Sequence, residues 1–209
     1  MRLLDLKKDY HVHCNYNDHS SRELSIENVT RIAEKINLNT LAFTEHVRKT
    51  SDWIPKYLEE IDRIVSSGTK MTIISGFEAK ILNDGTVDFP SEYEGYFLIA
   101  SFHTKFYNKQ NWLSALKSAI SLQHVKVIGH LAPEESFELT EDELIELSTL
   151  LKENEKTVEI NAKYRRPPMK WLRIFKENHV NLHLGSDAHR ITEIGNFNSI
   201  TNLIEFINN

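Results

Sequence analysis

Short apolar, β-branched runs alternate with amphipathic stretches along most of the chain. Seven of these runs are predicted as strands, at residues 8–12, 40–44, 71–75, 96–101, 126–129, 157–160 and 181–184. The stretches between them repeat apolar side chains at helical spacing, as Ile26, Val29 and Ala33 do. Strands that alternate with helices form a parallel sheet with right-handed crossovers.

Two local signals fix where predicted helices begin. Ser25 precedes the apolar repeat that starts at Ile26, so its hydroxyl is a plausible N-cap. Thr140 and Glu143 have the spacing of a capping box, in which each side chain bonds the backbone of the other residue. We therefore expect helices to begin at these two points.

A polar side chain able to bind metal or to hydrogen-bond follows every predicted strand. In chain order these residues are His11 and His13, Glu45 and His46, Glu78, His103, His130, Asn161, and Asp187 and His189. Histidines scattered through a core would not recur at strand ends in this way. The pattern predicts one cavity at the carboxyl ends of the strands, where α/β barrels carry their active sites.

The first and last of these positions hold pairs of metal-binding side chains separated by one residue. On an extended backbone, residues i and i+2 point to the same side, so His11 and His13 can share one target, as can Asp187 and His189. Pairs at opposite ends of a chain indicate that the first and last strands meet around metal. Seven units with meeting ends predict a (β/α)7 barrel.

Composition limits the alternatives. The chain has 209 residues, 40% hydrophobic and 26% charged, without a linker-like or low-complexity tract, which predicts one domain over residues 1–209. A single cysteine, Cys14, excludes an intrachain disulfide. The first residues lack the apolar region of a secretory signal and no run is long enough to span a bilayer, so we expect a cytoplasmic protein. The net charge of −5 disfavours nucleic acid as a partner.

With these residues in view, the chain resembles the PHP (polymerase and histidinol phosphatase) superfamily of metal-dependent phosphoesterases. The matching motifs are Asp9-Tyr10-His11-Val12-His13 with His19, Phe43-Thr44-Glu45-His46, Gly76-Phe77-Glu78, Ala100-Ser101-Phe102-His103, Ile128-Gly129-His130, Glu159-Ile160-Asn161 and Gly185-Ser186-Asp187-Ala188-His189. Each motif is weak alone, and their number and order carry the match. The resemblance implies a distorted seven-stranded β/α barrel.

The resemblance also implies a site for three metal ions. One ion would take His11, His13, Glu78 and Asp187; the second would share Glu78 and add His103 and His130; the third would take His19, His46 and His189. Asp18 competes with His19 for the metal role in its loop. Glu45 and Asp9 are expected to orient histidines rather than to bind metal.

This ligand set suits Zn, Mn or Fe(II) better than Mg or Ca, which prefer oxygen ligands. Two or three such ions, two of them sharing Glu78, could hold a bridging hydroxide as the nucleophile. Asp187 and His189 could also move the proton of the water or of the leaving group. For the phosphate, the candidate clamps are Arg165, Arg166 and Arg190, which follow ligand-bearing strand ends.

The resulting hypothesis is a phosphomonoester hydrolase acting on a small phosphorylated metabolite, such as histidinol phosphate or a sugar or nucleotide phosphate. A nuclease of the kind attached to polymerases is the first alternative. A non-catalytic, metal-binding PHP module is the second, although no ligand position is lost. An amidohydrolase is disfavoured because the third strand leads to Glu78 rather than to a metal-bridging lysine. The oligomeric state is not visible in the sequence.

Overall fold

The computed structural model describes residues 3–17, 19–132 and 137–209. Seven strands are present, β1 (Lys8–Val12), β2 (Thr40–Val47), β3 (Thr72–Lys80), β4 (Phe97–Ser101), β5 (Val127–Ile128), β6 (Thr157–Asn161) and β7 (Asn181–Gly185). The α-helices are α1 (Ile26–Lys35), α2 (Ile54–Ser66), α3 (Lys109–Ser121), α4 (Glu141–Glu153), α5 (Met169–Glu177) and α6 (Thr201–Asn208). Short 3-10 helices lie at Ser91–Tyr93, Ile191–Glu193 and Asn198–Ile200.

The strands form one parallel sheet in the order β1 to β7, and this confirms the predicted α/β barrel. The barrel is nearly closed, because β7 and β1 meet along a short seam. Asp187 N–H donates to the carbonyl of His11 at 2.8 Å, and His13 N–H donates to the carbonyl of Ala188 at 3.1 Å. The seam therefore brings the two predicted ligand pairs together through the backbone itself.

The second and third strands are longer than their apolar runs predict. Their parallel ladder continues in register through the pairs His46 with Glu78 and Val47 with Ala79. The carboxylate of Glu78 and the imidazole of His46 thus project from adjacent strands rather than from the loops beyond them. Cross-strand hydrogen bonds hold these positions extended although the side chains are polar.

The two helices whose starts the sequence predicts, α1 and α4, begin at the predicted residues. Ser25 Oγ accepts the N–H of Asn28, and the capping box of Thr140 and Glu143 is formed in both directions. Fully buried large side chains between helices and sheet include Trp112, and burying such a side chain contributes about 1.5–3 kcal/mol. No helix in the part of the chain described is long and apolar enough to cross a membrane.

At the end of the barrel opposite the polar strand ends, the first and last segments are tied together. The N–H of Leu4, just before β1, donates to Asn208 Oδ1 at 2.8 Å, and Asn208 Nδ2 donates to the carbonyl of Leu4 at 3.3 Å. Leu4 itself is buried. This pair fixes the last helix beside the first strand.

Candidate metal centre

Glu78 lies at the centre of the polar cluster. It projects from β3 and is only 1% exposed. Its Oε1 lies 3.0 Å from His130 Nε2 and 3.2 Å from His103 Nε2, and its Oε2 lies 2.8 Å from His46 Nδ1. His11 Nε2 and His13 Nε2 follow at 3.5 and 3.6 Å from Oε2. Five histidines from the ends of four strands thus face one carboxylate.

Asp187 supplies a second carboxylate on the other side of the cluster. Its Oδ1 lies 3.3 Å from His13 Nε2 and 3.2 Å from His189 Nδ1. The backbone of Asp187 has φ of 55°, in the left-handed region, and that of His130 has φ of 27°. Non-glycine residues rarely adopt such φ angles. Where they do, the surrounding structure holds the backbone in that conformation, often at a functional site.

The contacts within the cluster fit a set of metal ligands better than a hydrogen-bonded network. The Nε2 atoms of His11 and His13 face each other at 3.0 Å, so the two rings aim at a common point. Glu78 Oε2 is buried and makes no hydrogen bond of acceptable geometry, although His46 Nδ1 is 2.8 Å away. Both observations are expected where ligand atoms converge on a cation.

Among the described residues, three groups of ligand atoms lie close enough together to hold a metal ion. They are His11 with His13 and Glu78, His46 with Glu78 and His103, and His13 with His46 and His189. Imidazole and carboxylate donors in this mixture suit transition metals. The first group falls within the first predicted ligand set. The other two combine residues that the resemblance assigns to different ions.

Charge compensation keeps the acidic members ionised. Burial alone would raise the pKa of Glu78, but His103 and His11 hold it well below its ordinary value. Asp187 has a similar pKa shift, because His11 and the hydrogen bonds from His13 and His189 outweigh its burial. Burial lowers the pKa of His46 to about 4, with the charge of His13 adding to the effect. The cluster thus holds carboxylates beside an imidazole that is neutral at pH 7.

Glu159 supports the cluster from inside the barrel. Its Oε1 accepts His11 Nδ1–H at 2.6 Å, and its Oε2 accepts the backbone N–H of His130 at 2.7 Å and Asn161 Nδ2 at 3.1 Å. A carboxylate on the outer nitrogen of an imidazole fixes the ring and its tautomer, leaving Nε2 for a metal. Gly185 makes room for Glu159, since a Cβ at that position would overlap its Oε1. The sequence pattern alone predicts no site role for Glu159.

Glu45 and Asp9 occupy the positioning roles expected of them. Glu45 Oε1 lies 3.5 Å from His13 Nδ1 and accepts the N–H of His46 at 2.9 Å. Asp9 Oδ1 accepts the N–H groups of His11 at 3.3 Å and Ser186 at 2.9 Å. Both carboxylates are fully buried, so they tie the ligand-bearing segments to one another.

The ninth predicted ligand, His19, is the most peripheral. Its ring centre is 6.0 Å from that of His46, it is exposed, and it belongs to none of the three ligand groups among the described residues. Its competitor Asp18 lies outside the described residues. The role of His19 as a ligand stays a prediction, as do the other assignments to individual ions.

The loop after β6 brings a lysine to the cluster. Lys163 Nζ lies 3.3 Å from Asp187 Oδ1 and 2.9 Å from His189 Nδ1. Arg165 is exposed, and neither it nor Arg166 lines the cavity above the cluster. Arg190 lines a smaller adjoining cavity that also contacts Lys163 and His189. Sequence analysis named the arginines of this loop, and the structure places Lys163 closest to the cluster.

A cavity of about 1010 Å³ opens over the cluster. Its floor consists of the ligand side chains. Its walls come from the ends of β2 and β3 on one side and from the loop after β6 on the other, and they comprise Asn17, Val47, Arg48, Ser51, Lys80, Leu82, Asp88, Lys163 and Tyr164. This volume is at the upper end for small-molecule sites, so the cavity can hold more than a phosphate group.

Comparison with known families agrees with this architecture. The family model described as PHP domain matches residues 9–163, about three quarters of the chain. A candidate histidinol phosphatase, hisK, from Listeria monocytogenes has a solved structure that superposes with a TM-score of 0.75. That likeness covers 93% of this chain and 99% of the other at 17% identity, so it speaks for the fold alone.

Two curated proteins are similar in sequence. The DNA polymerase/3'-5' exonuclease PolX of Bacillus subtilis (strain 168) is 26% identical in an alignment 208 positions long, gaps included, that covers 91% of this chain but 35% of PolX. The chain therefore spans about a third of that relative. The probable phosphatase VFMJ11_A0899 of Aliivibrio fischeri (strain MJ11) is 27% identical, over 97% of this chain and 85% of its own length.

Proposed function

Because the chain belongs to the PHP domain family, we propose that it is a metal-dependent phosphoesterase that hydrolyses a small phosphomonoester. Histidinol phosphate, sugar phosphates and nucleotide phosphates are the candidate substrates. The observation that carries the proposal is the convergence of five histidines on Glu78 at the floor of a large cavity. The name of the Aliivibrio relative, which matches along most of its length, supports a phosphatase.

Two or three divalent ions, Zn, Mn or Fe, would be held by the nine predicted ligands, with Glu78 shared between ions. When bound, such ions neutralise phosphate oxygens and lower the pKa of a water molecule, so that no serine or cysteine nucleophile is needed. Glu159 and Glu45 keep the rings of His11 and His13 turned toward the centre. Asp187 Oδ1 and His189 Nδ1 lie 3.2 Å apart, and in this proposal the two residues would accept a proton from the attacking water and return one to the leaving oxygen.

Lys163 adds positive charge at the edge of the cluster. Its ammonium can swing a short distance from Asp187 to a phosphate oxygen, because its side chain is partly exposed and lines the cavity. An ammonium at this point neutralises phosphate charge that the metal ions do not reach. We assign Lys163 the role of phosphate contact, with Arg190 in reach through the adjoining cavity.

The test is phosphate release from a panel of phosphomonoesters by protein reconstituted with Mn or Zn. We expect turnover of at least one panel member, and a loss of about 100-fold or more in Asp187→Asn, consistent with removing a ligand and a proton carrier together. Lys163→Met is expected to raise KM more than it lowers kcat. No release from any panel member at full metal loading would overturn the proposal.

A nuclease is the second candidate, because PolX is named a 3'-5' exonuclease as well as a polymerase and matches 91% of this chain. The net charge of −5 disfavours a long nucleic-acid track. Cleavage of single-stranded DNA or RNA with kcat/KM above that of every small phosphomonoester, at moderate salt, would establish this alternative instead.

A further inference from the structure

Two cations stand side by side in the cavity wall, just beyond the metal cluster. Arg48 follows His46 by two residues at the end of β2, and Lys80 follows Glu78 by two residues at the end of β3. Residues i and i+2 of an extended chain point to the same side, so both cations extend the row of ligands outward. Both line the cavity that holds the cluster.

The ladder between the two strands ends one position before these cations. Its last pairs are His46 with Glu78 and Val47 with Ala79, so Arg48 and Lys80 are the next residues on the two neighbouring segments. Neighbouring strands are about 4.8 Å apart, and like charges close together across a sheet repel each other. The backbone at Arg48 is held in place, because its N–H donates to Ser51 Oγ at 3.0 Å and its carbonyl accepts the N–H of Ser51 at 3.0 Å.

Neither Arg48 nor Lys80 forms a salt bridge with any carboxylate in the described ranges. Asp88 is the acidic residue of the same wall. Its N–H donates to the carbonyl of Lys80 at 2.9 Å, and its Oδ1 accepts the backbone N–H of Lys49 at 2.9 Å. Two cations beside one carboxylate leave this part of the wall with an excess of positive charge, which an anionic ligand group stabilises.

From this geometry, and resting on the proposed function, we infer that the substrate carries a second anionic group on its leaving portion, bound by Arg48 and Lys80. The spacing sets the size of that substrate. Two residues of a parallel strand span about 6.6 Å, so the second anion lies roughly that far from the reacting phosphate. A small metabolite with two phosphates, or with a phosphate and a carboxylate, has this form. The remaining wall, with Ser51 and Leu82, can accept a short carbon skeleton between the two groups.

Binding of stable analogues provides the first test. Phosphonobutyrate and butylphosphonate share a phosphonate and a four-carbon chain, and the first carries an additional carboxylate. We expect titration calorimetry on the Mn-loaded protein to give about 10-fold or more tighter binding of phosphonobutyrate, as for a charge-assisted contact. In Arg48→Met and in Lys80→Met the difference should shrink to about 3-fold or less. Lys49→Met is the matched control, since Lys49 is adjacent in sequence but does not line the cavity, and it should keep the full difference.

Kinetics provide the second test, with phosphoglycerate against glycerol phosphate and a sugar bisphosphate against its monophosphates. The two variants should raise KM for the doubly anionic substrates by about 10-fold, with kcat within about 3-fold, and leave the singly anionic substrates unchanged. The two arms tell whether the preferred second group is a carboxylate or a phosphate. Phosphonobutyrate and butylphosphonate binding equally to the wild-type protein would overturn the inference.

The outcomes separate this inference from the proposed function. A protein that releases phosphate from singly and doubly anionic esters alike keeps the proposed function and loses the inference. A protein that binds neither phosphonate and releases no phosphate loses both. If a short single-stranded oligonucleotide binds more tightly than phosphonobutyrate, and does so through Arg48 and Lys80, the second anion is the next phosphate of a strand and the small-metabolite assignment is wrong.

Discussion

The metal cluster has an inner and an outer part that differ in how they are held. We define the inner group as His11, His13, Glu78 and Asp187, and the outer group as His19, His46, His103 and His189. Every side chain of the inner group is at most 3% exposed. In the outer group the side chain of His46 is 25% exposed, that of His103 is 28% exposed, and His19 is exposed and lines the cavity.

The support behind the two groups differs in the same direction. In the inner group, Glu159 contacts the outer nitrogen of His11 and Glu45 stands behind His13, so that both rings are oriented before any ligand arrives. Burial opposes the charge on His13, but hydrogen bonds to Asp187 and Glu45 raise its pKa to about 9. Metal binding to the inner group therefore displaces protons, whereas His46, with a pKa of about 4, needs to release none. The inner group is therefore preorganised by buried carboxylates, whereas the outer group is more exposed to solvent.

The largest effect is expected from Glu78→Gln, because Glu78 touches both groups. Gln keeps the shape of the side chain but removes the charge that balances the surrounding imidazoles. We expect a loss of metal affinity and of phosphate release beyond the roughly 10–100-fold typical of supporting residues. Metal content by mass spectrometry, with phosphate release, measures it. Glu146→Gln, which changes a surface partner of Lys117, is the control, and a variant that still binds metal at both groups would refute the central role of Glu78.

Glu159→Gln tests the carboxylate support that the inner group has and the outer group lacks. It should weaken metal affinity by about 10–100-fold, because the amide no longer fixes the His11 ring with a charged acceptor. Competition with a chelator measures the affinity, and circular dichroism shows whether the fold is kept. Affinity unchanged from the wild type would mean that burial, without the carboxylate, is enough to orient His11.

Gly185→Ala reaches the same support by steric means. The new Cβ would overlap Glu159 Oε1 and crowd the Cβ of His11, so the carboxylate must move. We expect about 1–3 kcal/mol lower stability toward urea, the usual cost of overpacking, together with weaker metal binding. Gly95→Ala is the matched control, because a Cβ there meets no atom within 4 Å and should leave both quantities unchanged. Equal effects of the two substitutions would show that the space at Gly185 is not needed for Glu159.

His19→Ala should have the smallest effect, since His19 belongs to the outer group and lies outside the close ligand groups. We expect the metal content to fall by no more than a single ion and activity to fall by about 10-fold or less. Metal analysis after gel filtration measures the first and phosphate release the second. If His19→Ala lost all bound metal, His19 would contribute as much as a residue of the inner group, and the distinction between the inner and outer groups would be wrong.

The fold and most of the cluster could be predicted because both depend on short-range patterns. Alternating strands and helices specify the barrel, and the spacing of His11 with His13, or of Asp187 with His189, specifies shared targets on extended backbone. The lengths of β2 and β3 could not be predicted, because the ladder that extends them joins polar residues. Backbone pairing across strands, rather than local composition, decides them.

The sequence does not reveal residues whose role depends on contacts with neighbouring strands and loops of the same chain. Glu159 lies in an apolar strand, and only the packing of β6 beside Gly185 and His11 shows that it points into the cluster. Lys163, Arg165 and Arg166 lie in one loop. The sequence does not show which of the three cations reaches the cluster, and the prediction named the two arginines. Paired backbone hydrogen bonds between Asn161 and Arg166 fold that loop back on itself, and this path brings Lys163 to Asp187. The path of the loop cannot be predicted from its amino-acid composition.

The two hydrogen bonds between Leu4 and Asn208 indicate where the chain of the barrel can be opened and reconnected. The earliest and latest described segments lie side by side, at the end of the barrel away from the cluster. A circular permutant could link these two segments and open the chain at Gly68, an exposed turn residue with open space around it. Its ligands would occur in a new order along the sequence but at the same places in the barrel. The same geometry lets the barrel be grafted into a longer polypeptide through two adjacent attachment points, leaving the cavity mouth clear.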